Sequence, residues 1–238
     1  MAVKPPKRCV AFLPLYRTFR LGLRFVFWLY WKWRRIGMER MPSAGPVLIA
    51  GNHASFLDPT ILGSAYERPV SYMARRSLFE IFFFGWLIGK VNAFPVDREG
   101  DPRSALRAVG ERLARGECVA LFPEGTRTQN GRLGRIKRGV GMIAVRSGAV
   151  VLPTYIHGAY ESWPRSGGLR FHPLRVEAGE PIVPRPCGED RQAARAEADR
   201  IQAEVERQLL ELEHRAFLAC GKGFLLAGAE SAGETESD

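Results

Sequence analysis

His53 and Asp58 stand five residues apart in Asn52-His53-Ala54-Ser55-Phe56-Leu57-Asp58-Pro59. Imidazole is the side chain best tuned to take a proton near neutral pH, and a carboxylate on its second ring nitrogen fixes tautomer and orientation. At 3.6 residues per turn the offset rotates about 500°, so the two side chains cannot align on one continuous helix. The spacing therefore predicts His53 in a turn and Asp58 at a helix start. Asp58 ahead of Pro59 also reads as a helix N-cap followed by a good first helical residue, which needs no catalysis. The second reactive cluster is Phe122-Pro123-Glu124-Gly125-Thr126-Arg127. It closes an apolar strand with a Gly-containing turn, where backbone N–H groups, the Thr126 hydroxyl and the Arg127 guanidinium can converge on an anion. An Arg fork suits a phosphate monoester. Arg132, Arg135, Lys137 and Arg138 then make the loop before Gly139 strongly cationic; for Arg132 and Arg135 a plain solvated loop reads the same way.

The elements that must position these residues follow from the hydropathy pattern. From Pro46 onward, short β-branched runs alternate with helical stretches, the pattern of an α/β domain with a mixed or parallel sheet. Strands are predicted over 47–50, 70–74, 92–96, 118–122, 150–156 and 174–178, and helices over 59–65, 102–115, 139–147 and 189–217. His53 thus follows the C-terminal end of one strand and residues 122–127 end another, which is where α/β sheets place their ligands. The apolar stretch 81–89 is too short to span a membrane; it suits core, a membrane-facing element or the wall of an acyl-chain pocket equally. A chain of 238 residues can bury one sizeable core. The predicted organisation is an interfacial helical region at 1–42, one catalytic domain at 43–220 and a disordered acidic tail at 221–238.

Charge is distributed unevenly. Residues 1–40 carry ten basic side chains against Glu39 alone, which is nine of the ten net positive charges. The same segment holds Phe12, Phe19, Phe25, Phe27, Trp28, Tyr30, Trp31 and Trp33. A spanning helix needs about 20 consecutive apolar residues, and Arg24 and Lys32 interrupt any such run. Arg17, Arg20 and Arg24 fall at helical spacing, so the segment is expected to lie in a membrane interface with its cations on anionic phosphates. A basic amphipathic helix that packs on its own domain would share this pattern. No nucleic-acid module follows the basic segment. Cys9, Cys118, Cys187 and Cys220 are scattered, which argues against a disulfide framework or zinc site and for a reducing compartment.

In their order and spacing these blocks resemble the glycerolipid acyltransferases of the 1-acylglycerol-3-phosphate (lysophosphatidic acid) type. Asn52, His53 and Asp58 match the family's Asn-His-x4-Asp block, and Phe94-Pro95-Val96-Asp97-Arg98 matches a strand ending in Arg. Residues 122–127 match Phe-Pro-Glu-Gly-Thr-Arg without change, and Val151-Leu152-Pro153 matches Val-x-Pro. The likeness covers about residues 45–160. It implies His53 as general base oriented by Asp58, and glycerol-phosphate binding by Arg98, Glu124, Gly125, Thr126 and Arg127. Many relatives carry Lys-Lys-Glu-Leu between the first two blocks, where this chain has Arg75-Arg76-Ser77-Leu78. Positive charge persists there, so Arg76 joins Lys137 as a further phosphate contact.

The expected reaction moves a fatty acyl group from acyl-CoA or acyl-ACP to the sn-2 hydroxyl of lysophosphatidic acid, giving phosphatidic acid. No metal or cofactor is expected beyond that co-substrate. The expected location is the cytoplasmic face of the cell (inner) membrane, as a peripheral or monotopic protein among phospholipid and lysolipid substrate. The chain lacks the G-x-S-x-G of a serine hydrolase, and His53, His157, His172 and His214 show no H-E-x-x-H spacing. Another lysolipid acceptor, or a non-catalytic lipid-binding protein, would leave much of this pattern unchanged.

Overall fold

The computed structural model describes residues 13–81, 85, 88–89, 92–96, 102–164 and 167–220. Its centre is a seven-stranded sheet in the order β1-β7-β6-β2-β5-β3-β4. The strands are β1 (Arg34–Ile36), β2 (Val47–Gly51), β3 (Val70–Arg75), β4 (Ala93–Val96), β5 (Cys118–Leu121), β6 (Val150–His157) and β7 (Arg175–Ala178). Strands β2 to β6 are parallel, while β7 pairs antiparallel with β6 and β1 runs parallel to β7. All six predicted strands form, within two residues at each end. β1 is additional, and it falls inside the segment read from sequence as purely helical.

The helices are α1 (Leu13–Trp31), α2 (Asp58–Ala65), α3 (Pro102–Ala114), α4 (Val140–Ser147), the single turn α5 (Ala159–Ser162) and α6 (Arg191–Ala219). Side chains alternate across β2 as its period of two requires. Val47 and Ile49 enter one core with Phe27 and Trp31 of α1 and Ile61 and Leu62 of α2. Leu48 and Ala50 enter the other with Val109 of α3, Ala144 of α4 and Ile201 and Leu209 of α6. Both sheet faces are therefore covered, as a parallel sheet demands. No helix among the described residues is long and apolar enough to cross a membrane. Of the stretch 81–89, Ile88 is buried in the core and Ile81 is exposed; the tail expected to be disordered lies outside the described residues.

The chain leaves β2 over the α2 face and leaves β5 over the α4 face. Adjacent parallel strands whose connections part to opposite faces open a crevice at their carboxyl ends. β2 and β5 are adjacent. The His53 turn and residues 122–127 are the two segments that leave this crevice.

Helix α1 corrects one expectation. Arg20 and Arg24 do not point outward toward lipid phosphates; they turn in, with Tyr16, on the C-terminus of α2. The Tyr16 hydroxyl donates to Gly63 O, Arg24 to the carbonyls of Ser64, Ala65 and Tyr66, and Arg20 to those of Tyr66 and Glu67. Arg35 of β1 adds a bond to Ala65 O, and Arg20 and Arg24 also pair with the Glu67 carboxylate. The last carbonyls of a helix lack internal partners and carry its negative dipole end, so guanidinium groups there satisfy both needs. Tyr16, Arg20 and Arg24 recur every four residues on one face. The other face keeps Leu21, Phe25, Trp28 and Leu29 exposed, and Arg17 is exposed as well.

Candidate active site

The turn after β2 is held from three sides. Asn52 clamps the main chain of Ile156 on β6, donating to its carbonyl at 3.0 Å and accepting from its N–H at 2.6 Å. His53 Nδ1 lies 2.7 Å from Asp58 Oδ2. The same oxygen accepts the N–H groups of Ala54 and Ser55, each at 2.7 Å. Asp58 is wholly buried and is the first residue of α2, with Leu57 at the cap position and no side-chain cap bond. The expected N-cap role is therefore not what it performs: its carboxylate folds back to close the turn and engage His53. A carboxylate oxygen that already accepts two main-chain N–H groups suits the His53 tautomer that carries its proton on Nδ1.

Residues 122–127 meet this turn directly. The Phe122 ring stacks on the His53 ring at 4.2 Å with 17° between planes. Glu124, 5% exposed, accepts His53 N–H on Oε1 at 2.6 Å and Gly134 N–H on Oε2 at 2.8 Å. Both carboxylate oxygens thus accept from main-chain amides. Burial raises the Glu124 pKa above the ordinary carboxylate value, with Asp58 adding to the rise, while the two amides and His53 oppose it. A further strut reaches in from α6: Glu213 accepts Leu133 N–H and the Tyr155 hydroxyl.

Residues 125–127 and Lys137 lie beside this cluster. Gly125 takes φ 71°, a left-handed conformation that glycine adopts without strain, and its N–H closes a turn onto Phe122 O. Gly125, Thr126 and Lys137 are exposed. A Cβ at position 125 would lie 2.8 Å from Lys137 Nζ, so the lysine folds over the glycine. The Arg127 guanidinium lies 3.5 Å from the centroid of the Phe56 ring, which belongs to the His53 turn. His53, Asp58, Glu124, Gly125, Arg127 and Lys137 are thus brought into one cluster. Arg76 is exposed in the turn after β3, at the same end of the sheet but two strands from β2. Arg98 lies outside the described residues. Sequence reasoning missed the Phe122 and Phe56 ring contacts, although both aromatics stand inside the blocks that drew attention.

An imidazole paired with a buried carboxylate at the carboxyl edge of a parallel sheet, beside a turn that carries Arg127, is an arrangement able to serve group transfer. The acyltransferase family model matches residues 32–157, and the chain belongs to this family. The 1-acyl-sn-glycerol-3-phosphate acyltransferase of Pseudomonas aeruginosa is 32% identical over 179 residues, spanning 71% of this chain and 68% of that protein. The enzyme of the same name from Bacillus subtilis is 33% identical over 147 residues, spanning 60% and 70%. Among solved structures, the 1-acyl-sn-glycerophosphate (LPA) acyltransferase PlsC from Thermotoga maritima superposes with a TM-score of 0.64 at 28% identity, covering 87% of this chain and 84% of that one.

Proposed function

We propose that this acyltransferase moves a fatty acyl group from an acyl thioester, acyl-CoA or acyl-ACP, onto the sn-2 hydroxyl of lysophosphatidic acid, with His53 as general base. The reading rests on one observation above others: the His53–Asp58 pair is fastened, through Glu124 and Phe122, to the turn that presents Gly125, Thr126 and Arg127. The names of the relatives support the acceptor. Arg127, the 125–126 turn and Lys137 hold the phosphate monoester, with Arg98 and Arg76 as further cations, and Glu124 positions the base rather than touching substrate.

Held this way, the acceptor hydroxyl donates to His53 Nε2. As its oxygen attacks the thioester carbonyl, Nε2 takes the proton and Asp58 stabilises the imidazolium. Collapse of the tetrahedral intermediate breaks the C–S bond, and the proton returns to the leaving thiolate. No acyl-enzyme forms, and the thioester is a co-substrate, so no cofactor or metal is needed. A positioned base is typically worth 10² to 10⁴-fold in rate. The exposed Leu21, Phe25, Trp28 and Leu29 face of α1 seats the protein on the cytoplasmic leaflet of the cell membrane, where its lipid acceptor resides.

The test is acyl transfer by purified protein on vesicles, with a panel of thioester donors and lysolipid acceptors. Wild type should favour lysophosphatidic acid, and His53→Ala should lose transfer while keeping its fold and vesicle binding. Full activity in that variant would sink the mechanism. A preference for a lysolipid without the phosphate monoester would replace the acceptor.

A further inference from the structure

We infer that the loop 167–173, between α5 and β7, is a second lipid-contacting element that seats on an anionic bilayer surface and links α1 to the rim of the active site. The inference rests on the membrane-surface reading above and extends it to residues beyond the matched acyltransferase segment, which ends at residue 157.

The loop holds two large apolar side chains in water: Phe171 is 75% exposed and Leu169 60%. Its main chain, by contrast, is fixed. Arg170 N–H donates to Ser162 O at 2.8 Å, Arg170 O accepts the Trp31 indole N–H at 2.9 Å, and Leu174 N–H donates to Trp31 O at 2.9 Å. Since the backbone is pinned to α5 and to the last residue of α1, the outward pose of these side chains is built in. Large apolar groups held out rigidly, and in contact with one another, mark a surface that another phase covers.

Ring contacts occur on both sides of the loop. Phe171 stacks on Tyr30 at 5.4 Å and 20°, which joins the loop to the exposed face of α1, where Phe25 and Trp28 are in ring contact. In the other direction, Trp163 meets Phe56 at 5.8 Å, and the Ser55 hydroxyl donates to Trp163 O at 2.9 Å. Phe56 is the ring beneath Arg127. Aromatic side chains thus ridge α1, the loop and the turn that carries His53, with the main-chain bond from Arg170 N–H to Ser162 O tying the loop to the residue before Trp163.

Charge identifies what covers it. Arg17 on α1, Lys32 just after it, Arg34 on β1 and Arg170 on the loop are all exposed, and residues 13–38 contain no acid. Tyr, Trp and Phe at headgroup depth with Arg and Lys on the rim suit an anionic leaflet. A seat at both ends of the ridge would also fix how the mouth of the site faces the lipid.

The test uses the full chain and the double variant Leu169→Ser/Phe171→Ser, sedimented with phosphatidylglycerol/phosphatidylethanolamine vesicles. Removing an apolar side chain from the interface shifts partitioning by about tenfold or more. The double variant should therefore partition at least about tenfold more weakly, Phe171→Leu should retain most of the binding, and Arg170→Gln should lose affinity only on anionic vesicles. Thermal midpoints should match wild type, since neither side chain is buried. Unchanged partitioning of the folded double variant overturns the inference, as does a wild-type dimer that the variant converts to monomer without lipid. Partitioning is read without turnover, so a wild type that binds vesicles yet fails on every acceptor refutes the proposed reaction alone.

Discussion

Glu124→Gln separates a residue that positions the base from one that touches substrate. The carboxylate spans two main-chain donors, His53 N–H at 2.6 Å and Gly134 N–H at 2.8 Å, in a site 5% exposed. Glutamine keeps the shape but supplies one oxygen and one NH2 group, so whichever way the amide turns, a donor faces a donor. A buried N–H left without a partner costs about 1–3 kcal/mol, and the surviving bond loses roughly half its strength with the charge. Relief of carboxylate desolvation offsets part of this, leaving about 1–3 kcal/mol. For a chain of this size that lowers the melting midpoint by about 2–12 °C. In the proposed mechanism the His53 end of the tie bears on rate, because a misplacement of about 1 Å at a reacting group can cost about 10²-fold. kcat should fall about 10- to 100-fold while KM for the lysolipid stays within about threefold.

Linkage gives a second readout on the same variant. The Glu124 pKa is raised in the folded protein, so the native state holds this proton more tightly than the unfolded chain. The wild type therefore gains stability relative to the non-titrating Gln variant as pH falls through the raised value toward 4.5, and loses it as pH rises. Paired urea titrations across that range measure the difference, in which the other carboxylates cancel. A variant with unchanged melting, a flat pH difference and a raised KM for the acceptor would refute the positioning role and return Glu124 to the substrate.

Asp58→Asn should lower kcat by about 10²-fold or more with KM nearly unchanged in steady-state assays, because the imidazolium loses its counter-charge and Nδ1 its fixed tautomer; near wild-type turnover would exclude the pair. Arg24→Met removes three carbonyl bonds and the Glu67 pair at the C-terminus of α2, and urea unfolding should show a loss of about 2–4 kcal/mol, whereas a change below about 0.5 would mean the clamp is idle. The Arg200 guanidinium holds Glu197 down to about 2, and Arg207 does the same for Glu204. Their contribution is present above 4.5 and lost as pH falls toward about 2, so Glu197→Gln should flatten the acid limb of the stability curve.

What could be read from the sequence follows how local each signal is. The interior strands announced themselves because a strand buried on both faces, such as Val47–Gly51, is a continuous apolar run. β1 gave no such sign: Arg34-Arg35-Ile36 has neither run nor alternation, and it is a strand only because β7 presents an edge to it. At the site, the turn placement of His53 and the helix-start placement of Asp58 were legible from their offset. The partner of Glu124 was not, since a carboxylate reads alike facing a phosphate or an amide, and the amide belongs to a residue 71 positions away. The same holds for Arg20 and Arg24. Their spacing marked a helix face, but spacing does not say whether that face meets lipid headgroups or the carbonyls of a helix forty or more residues on.

That inward face changes how α1 bears on catalysis. Had its arginines gripped lipid phosphates, the helix would be an anchor that leaves the site untouched. Instead its guanidinium groups hold the C-terminus of α2, and the N-terminus of α2 is Asp58 itself. α2 has eight residues, about 12 Å of rigid helix. A shift of α1 would therefore displace one end of α2 while Ala54, Ser55 and His53 hold the other through the Asp58 carboxylate. In the proposed mechanism, membrane seating and orientation of His53 would share this short element, so a change that loosens the clamp should lower turnover even where vesicle binding is intact.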